Sequence, residues 1–111
     1  MKKKLIYIAC PYSIGDVAVN VHNAIKAAEI VVVLGAIPYM PLWTHFWHFM
    51  NPHPWEYWIQ FDEYYVSICD VVWRLPGESK GADIETKQAE DLMKPVFYDL
   101  KELTRWLKDA V

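Results

Sequence analysis

The chain has 111 residues, 54% hydrophobic and 23% charged, which suits one globular domain over residues 1–111 and excludes a disordered chain. A formal net charge of −3 argues against a nucleic-acid groove, and the basic run at residues 2–4 is too short to change that. The longest apolar run is broken by Pro38 and Pro41 and no signal peptide is evident, so we expect a cytoplasmic protein with no membrane partner.

The first half of the chain predicts two strands and one helix before an aromatic segment. A continuous apolar run at residues 5–10 predicts a strand buried on both faces, and a loop follows at 11–16. Apolar residues at three-to-four spacing predict a helix at 17–34, and residues 36–40 predict a second strand. The aromatic, proline-interrupted residues 42–55 predict a long loop or a broken helix, and loops of that length are usually functional.

The second half continues the alternation. The pattern predicts, in order, a helix at 56–67, a strand at 69–75, a helix at 83–93, a strand at 95–98 and an amphipathic helix at 100–110. In the last helix Leu103, Trp106 and Leu107 should face the core. Cys10 and Cys69 adjoin apolar strand-like segments, so we expect buried free thiols in a reducing compartment.

Strands alternating with helices predict an α/β fold. We expect a single doubly wound parallel sheet of about four strands, of the Rossmann or flavodoxin-like kind, with helices on both faces. In such sheets ligands bind beyond the carboxyl ends of the strands, where the strand order reverses. The loops at residues 11–16, 41–55 and 76–82 should therefore surround the functional site.

The segment 74–89 links the third strand to the next helix through a glycine-containing loop. Free N–H groups and the positive end of the helix dipole converge at such a helix start. Placed in the first helical turn, Glu85 should stay ionised near neutral pH, as a nucleophile or electrostatic anchor must, or should simply complement the dipole. The pattern GxxxxGK[ST] of a Walker phosphate loop is absent.

A second carboxylate, Asp62, could act together with Glu85. Two carboxylates that flank a glycosidic bond divide the work, because one attacks or stabilises the anomeric carbon while the other handles the leaving group's proton. Asp62 could alternatively be a solvated helix residue, and Asp70 is expected to be a structural hydrogen-bonding residue. The other residues expected at the rim of the crevice are Tyr7 or Tyr12, Ser13, His45 and Ser79.

Histidines and tryptophans concentrate in residues 43–58. A metal site is disfavoured, since there is no HExxH motif and no nearby cysteine pair. We expect His45 to line the pocket and the other histidines to pack among the tryptophans. Such an aromatic excess in a small domain favours a homo-oligomer assembled through this Trp-rich 43–58 region.

Several segments carry a resemblance to a known family. They are IYIACPYS (6–13), NVHNA (20–24), GAIPYMPLWTHF (35–46), FDEYYVSICDVVWRLPGESKGADIE (61–85) and KPVF (94–97). Together they resemble the nucleoside 2-deoxyribosyltransferase-like superfamily, especially its small bacterial and phage members. The resemblance implies that Glu85 is the nucleophile, that Asp62 assists departure of the base and that Tyr7 orients Glu85. In members that hydrolyse nucleotides, serines and backbone N–H groups hold the 5′-phosphate, which implies roles for Ser13, Ser79 and Gly81.

The leading hypothesis is cleavage or transfer at the N-glycosidic bond of a nucleoside or nucleoside 5′-monophosphate, with no metal or organic cofactor. Tyr12 and His45 join the substrate-binding residues in this interpretation. Two alternatives remain: a nucleotide-binding or sensing module without catalysis, and an accessory protein that acts through its Trp-rich surface.

Overall fold

Four parallel strands form the sheet in the computed structural model, which describes residues 3–109. They are β1 (Leu5–Ala9), β2 (Ile37–Tyr39), β3 (Val71–Arg74) and β4 (Val96–Phe97), in the order β2-β1-β3-β4. The central strands β1 and β3 are buried almost throughout, as their uninterrupted apolar sequences require. The strand order reverses between β1 and β3. The chain goes from β1 to β2 on one side of it, and then to β3 and β4 on the other side.

The structure describes five α-helices over residues 3–109, and four of them cover the two faces of this sheet. They are α1 (Val17–Val33), α2 (His45–Met50), α3 (Trp55–Ile68), α4 (Lys80–Asp91) and α5 (Leu100–Asp109), and a 3₁₀ helix at Pro41–Thr44 precedes α2. Side chains of α1 and α5 pack on one face, around Ile6, Ile8 and Trp73. Side chains of α3 and α4 pack on the other, around Tyr7, Ala9 and Val72. The doubly wound α/β fold expected from the sequence is confirmed.

Local signals set the ends of the helices. The Asp16 carboxylate accepts from the N–H groups of Ala18 and Val19 and so begins α1, and Gly35 follows the helix with a φ of +85°. The hydroxyl of Ser79 accepts from the N–H of Ala82 and begins α4. This cap starts α4 at Lys80, earlier than the predicted residue 83, so the expectation that Glu85 lies in the first turn is wrong.

Other expectations about the core and the termini are confirmed. The aromatic segment forms a broken helix, and Leu103 is fully buried while Trp106 and Leu107 pack partly buried against the core. Both cysteines are free and buried. Asp70 is a structural residue whose carboxylate accepts from the N–H of Leu5. The predicted end of the last helix, Ala110, lies outside the described residues. Over residues 3–109, no helix has the length and apolarity needed to cross a membrane.

Candidate active site

A cavity of about 470 Å³ opens at the carboxyl ends of the central strands. Its lining comes from all three loops that the sequence indicated and from one side of α3 and the beginning of α4. Asp62 and Glu85 both line it, and both are buried, with 8% and 5% of their surface exposed. The fold therefore brings together two carboxylates that are far apart in the sequence.

Each carboxylate accepts a hydrogen bond from its own tyrosine. The Tyr7 hydroxyl donates to Glu85 Oε2 at 2.5 Å, and the Tyr39 hydroxyl donates to Asp62 Oδ1 at 3.0 Å. The two tyrosines are register partners on the adjacent strands β1 and β2, and their ring centroids lie 5.2 Å apart. Side chains of paired residues point to the same face of a parallel sheet, so the sheet register itself presents both hydroxyls to the acids.

Both acids hold their protons more tightly than usual. Burial raises the pKa of Glu85 to about 8, and the charge of Asp62 adds to the rise, while the Tyr7 hydrogen bond opposes it. Burial also raises the pKa of Asp62 to about 7, against the effect of the Tyr39 hydrogen bond. The expectation of an ionised Glu85 at neutral pH is therefore wrong, because Asp83, not Glu85, occupies the first turn, and burial dominates at Glu85.

The buried residue Arg74 holds the loop between β3 and α4. Its guanidinium donates to the carbonyl oxygens of Leu75 and Gly77, the latter at 2.9 Å, and forms an ion pair with Asp83 at 3.1 Å. Gly77 has a φ of +117°, and a Cβ there would lie 2.8 Å from Pro11 Cγ, so this position requires glycine. The Arg74 charge also lowers the pKa of Glu85, although less than burial raises it.

The beginning of α4 supplies polar groups to the cavity. Ser79, Lys80 and Gly81 line it, and the Ser79 hydroxyl, which accepts from Ala82, can still donate its own proton. Among the described residues, no acceptor bonds the N–H groups of Lys80 and Gly81. These are the donors that a helix start leaves free for an anion or a hydroxyl.

The loop after β1 brings Tyr12 and Ser13 to the cavity. Asn20 fixes this loop by donating to the carbonyl oxygens of Tyr12 and Ile14, each at 2.9 Å. The expectation that His45 lines the cavity is wrong, because its ring turns to Tyr12, where Nδ1 and the hydroxyl lie 2.7 Å apart. His45 thus reaches the cavity through Tyr12, and His48 and His53 line it instead.

Among the described residues, the site offers neither a reactive thiol nor a group of metal-binding side chains. Cys10 lines the cavity, but burial raises the pKa of its thiol to about 12, so it is protonated and a poor nucleophile at neutral pH. Within residues 3–109, no three His, Cys, Asp or Glu side chains are grouped in a way that could hold a metal ion.

The aromatic segment is divided between the cavity wall and the surface. Trp55 and Trp58 line the cavity, whereas Phe46, Phe49 and Met50 of α2 are more than 70% exposed. An oligomer assembled through the Trp-rich 43–58 region stays a prediction.

Sequence reasoning missed several residues of the site, among them Tyr39, Arg74 and His48. A signal existed for Arg74, since an arginine that ends an apolar strand before a glycine loop must find buried acceptors. Tyr39 and His48 carried no such signal, because their partners depend on strand register and on the packing of α2 against α3.

Comparisons with known proteins place this geometry in context. No curated protein matches the sequence significantly. Among solved structures, the chain is similar to a 2-deoxyribosyltransferase from the psychrotolerant bacterium Bacillus psychrosaccharolyticus, with a TM-score of 0.61 and 19% identity over 83% of this chain and 69% of that one. This likeness establishes a shared fold. A family profile matches residues 4–99, and the chain therefore belongs to the family of the domain of unknown function DUF7768.

Proposed function

We propose that the protein cleaves or transfers the N-glycosidic bond of a nucleoside or nucleoside 5′-monophosphate. One observation carries the proposal: two buried carboxylates, each bonded by its own tyrosine, line a single cavity. The sequence resemblance and the fold shared with a 2-deoxyribosyltransferase support the same chemistry.

In the first step Glu85, in its ionised form, attacks the anomeric carbon of the sugar. The bond from that carbon to the base nitrogen breaks, its electron pair passes to the base, and the base takes the proton of Asp62. The products of this step are a sugar ester of Glu85, the free base and an ionised Asp62. Tyr7 holds the Glu85 carboxylate in place by its hydrogen bond.

The second step releases the sugar. A water molecule, or a second base in a transfer reaction, attacks the anomeric carbon while the ester bond to Glu85 breaks. Asp62 accepts the proton that the attacking group loses, so both acids return to their starting states.

The reactive form of the pair contains one proton. With the pKa of Asp62 raised to about 7 and that of Glu85 to about 8, the pair retains a proton near neutral pH. In the reactive arrangement this proton is on Asp62 and Glu85 is ionised. Because the pKa of Glu85 is the higher of the two, this is the minor one of the two singly protonated forms, and the hydrogen bond from Tyr7 raises its share. Activity should therefore follow a narrow bell-shaped pH profile between about pH 7 and 8.

Two walls of the cavity suit two parts of the substrate. Trp55, Trp58, Ile59 and Asp62 share one side of α3, so the acid that protonates the base lies along an aromatic wall suited to a base. The start of α4 offers the Ser79 hydroxyl and free N–H groups, which suit sugar oxygens or a 5′-phosphate.

Incubation with a panel of nucleosides and 5′-monophosphates, followed by chromatography of the free base, tests the proposal. Native protein should release base from at least one of them. Glu85→Gln and Asp62→Asn should each reduce release at least about 100-fold, while Glu90→Gln, an exposed acid on α4, should not. The proposal fails if no compound yields free base, or if Glu85→Gln retains native activity.

Binding without catalysis is the second candidate, favoured by the free N–H groups at the start of α4. In that case calorimetry should detect a nucleotide that native and Glu85→Gln proteins bind equally, and no base should be released. Loss of binding in a charge-removing Lys80→Gln variant would indicate phosphate as the anchor.

A further inference from the structure

Hydrogen bonds from neighbouring residues determine which nitrogen of the neutral His48 ring carries the proton. Its Nδ1 atom accepts from the Trp58 indole N–H at 2.7 Å and from the backbone N–H of His53 at 3.3 Å. A ring nitrogen that accepts cannot carry a proton, so the proton of the neutral ring lies on Nε2.

The Nε2–H group of His48 is free to bind a ligand. No hydrogen bond to it exists among residues 3–109, where Gln88 Oε1 is the one buried side-chain nitrogen or oxygen atom without a partner. Nε2 is therefore solvent-accessible, on a half-buried residue that lines the cavity.

The surroundings of His48 indicate which part of a substrate it meets. Its ring packs edge-on against Trp58, with centroids 5.8 Å apart, and Trp58 shares the cavity side of α3 with Asp62. The donors suited to a phosphate belong to the other wall, at the start of α4. A fixed N–H beside an aromatic wall and a proton-donating acid suits the edge of a nucleobase.

We infer that His48 is a specificity-determining residue whose Nε2–H donates to an acceptor atom, a carbonyl oxygen or ring nitrogen, on the edge of the departing base. This inference rests on the proposed function and names the substrate class, bases that present such an acceptor. Trp58 is then a positioning residue, because its indole N–H keeps the proton of His48 on Nε2.

Substrate pairs in which one base lacks a carbonyl oxygen or a ring nitrogen of the other test the inference. Useful pairs of nucleosides or 5′-monophosphates contain hypoxanthine or purine, hypoxanthine or its 7-deaza form, and uracil or 2-pyrimidinone. Native protein should prefer the acceptor-bearing member of at least one pair by about tenfold in kcat/KM, the value of one neutral hydrogen bond. His48→Phe should reduce this preference to within about twofold, and His48→Gln, which keeps an N–H donor, should retain part of it. The control His22→Phe, on the exposed side of α1, should keep the native preference.

Nitrogen-15 NMR of the histidine rings gives a readout that does not depend on turnover. Native His48 should carry its proton on Nε2, and Trp58→Phe should increase the Nδ1-protonated form and weaken the base preference. A native proton on Nδ1 overturns the inference, as does an unchanged base preference in folded His48→Phe. If that variant does not fold, an unchanged preference in a Trp58→Phe protein whose His48 proton has moved to Nδ1 overturns it. If native protein releases base but shows no preference for any acceptor, only the inference about His48 is overturned. If it neither releases base nor binds the substrates, both the proposed function and the inference about His48 are overturned.

Discussion

Replacing Tyr7 with Phe removes the hydroxyl that donates to Glu85 from 2.5 Å and leaves the ring in place. Both residues are buried, at 0% and 5% exposure, so water cannot readily replace the lost donor. A hydrogen bond to a charged acceptor contributes about 1.5–3 kcal/mol, and about 1.4 kcal/mol corresponds to one pKa unit. We therefore expect the pKa of Glu85 to rise by about 1–2 units above its native value.

The assay is kcat/KM for base release as a function of pH. With a smaller share of the pair carrying an ionised Glu85, release near pH 7.5 should fall by about 10- to 100-fold. The alkaline side of the profile, which follows the higher pKa of Glu85, should move to higher pH. Circular dichroism and urea unfolding would verify that the variant is folded.

Tyr39→Phe is the matched control, because it removes the equivalent hydroxyl from Asp62. Here the pKa of Asp62, the lower of the two, should rise, so the acidic side of the profile should move to higher pH and the alkaline side should stay. An alkaline side left in place by Tyr7→Phe, or the same side moved by both variants, would refute this assignment of the two acids.

Three further predictions concern stability. Because burial raises the pKa of Glu85 from 4.5 to about 8, the folded protein retains a proton that the unfolded chain loses, and the free energy of unfolding falls as pH rises through this range. Glu85→Gln should therefore have a free energy of unfolding about 2–4 kcal/mol above that of the native protein at pH 8.5, and nearly the same value at pH 4. Urea unfolding that shows no such pH dependence would contradict this prediction. Arg74→Met should lower the free energy of unfolding by about 3 kcal/mol, because it leaves two loop carbonyl oxygens without their donor. Asp83→Asn should lower it by less than about 1 kcal/mol, because the Asp83 side chain is 73% exposed. Equal losses in the two variants would disprove the role of Arg74 in holding the loop. Gly77→Ala should lower the melting temperature more than Gly35→Ala, because both have positive φ but only Gly77 faces a proline ring at 2.8 Å; equal shifts would exclude the clash.

The geometry also suggests why the site tolerates such costly groups. Two acids are buried in one cavity with raised pKa values, which destabilises the fold at alkaline pH but keeps a proton available near neutrality. Hydrogen bonds from Tyr7 and Tyr39 only partly offset the burial. A loss of stability of this kind, caused by buried acids at one cavity, is typical of functional sites rather than of structural cores.

The alternation of apolar strands with amphipathic helices determined the fold class, because hydrophobic periodicity reports which faces must be buried. It also indicated the three loops around the cavity, since parallel strands end at one edge of the sheet. What the pattern could not determine was the helix start at Lys80, because the Ser79 cap acts over a few residues that have no apolar period. The position of Glu85 in the helix followed from that start, and burial set the direction of its pKa shift.

The sequence by itself placed Asp62 on the helix before the third strand and Glu85 on the helix after it, in an α/β chain. Only the tertiary structure decided that each accepts from a tyrosine, that both are protonated more readily than usual, and that His48 rather than His45 lines the cavity. The physical reason is that burial, strand register and helix packing act between residues distant in the chain, and these set protonation and hydrogen bonding more strongly than local sequence does.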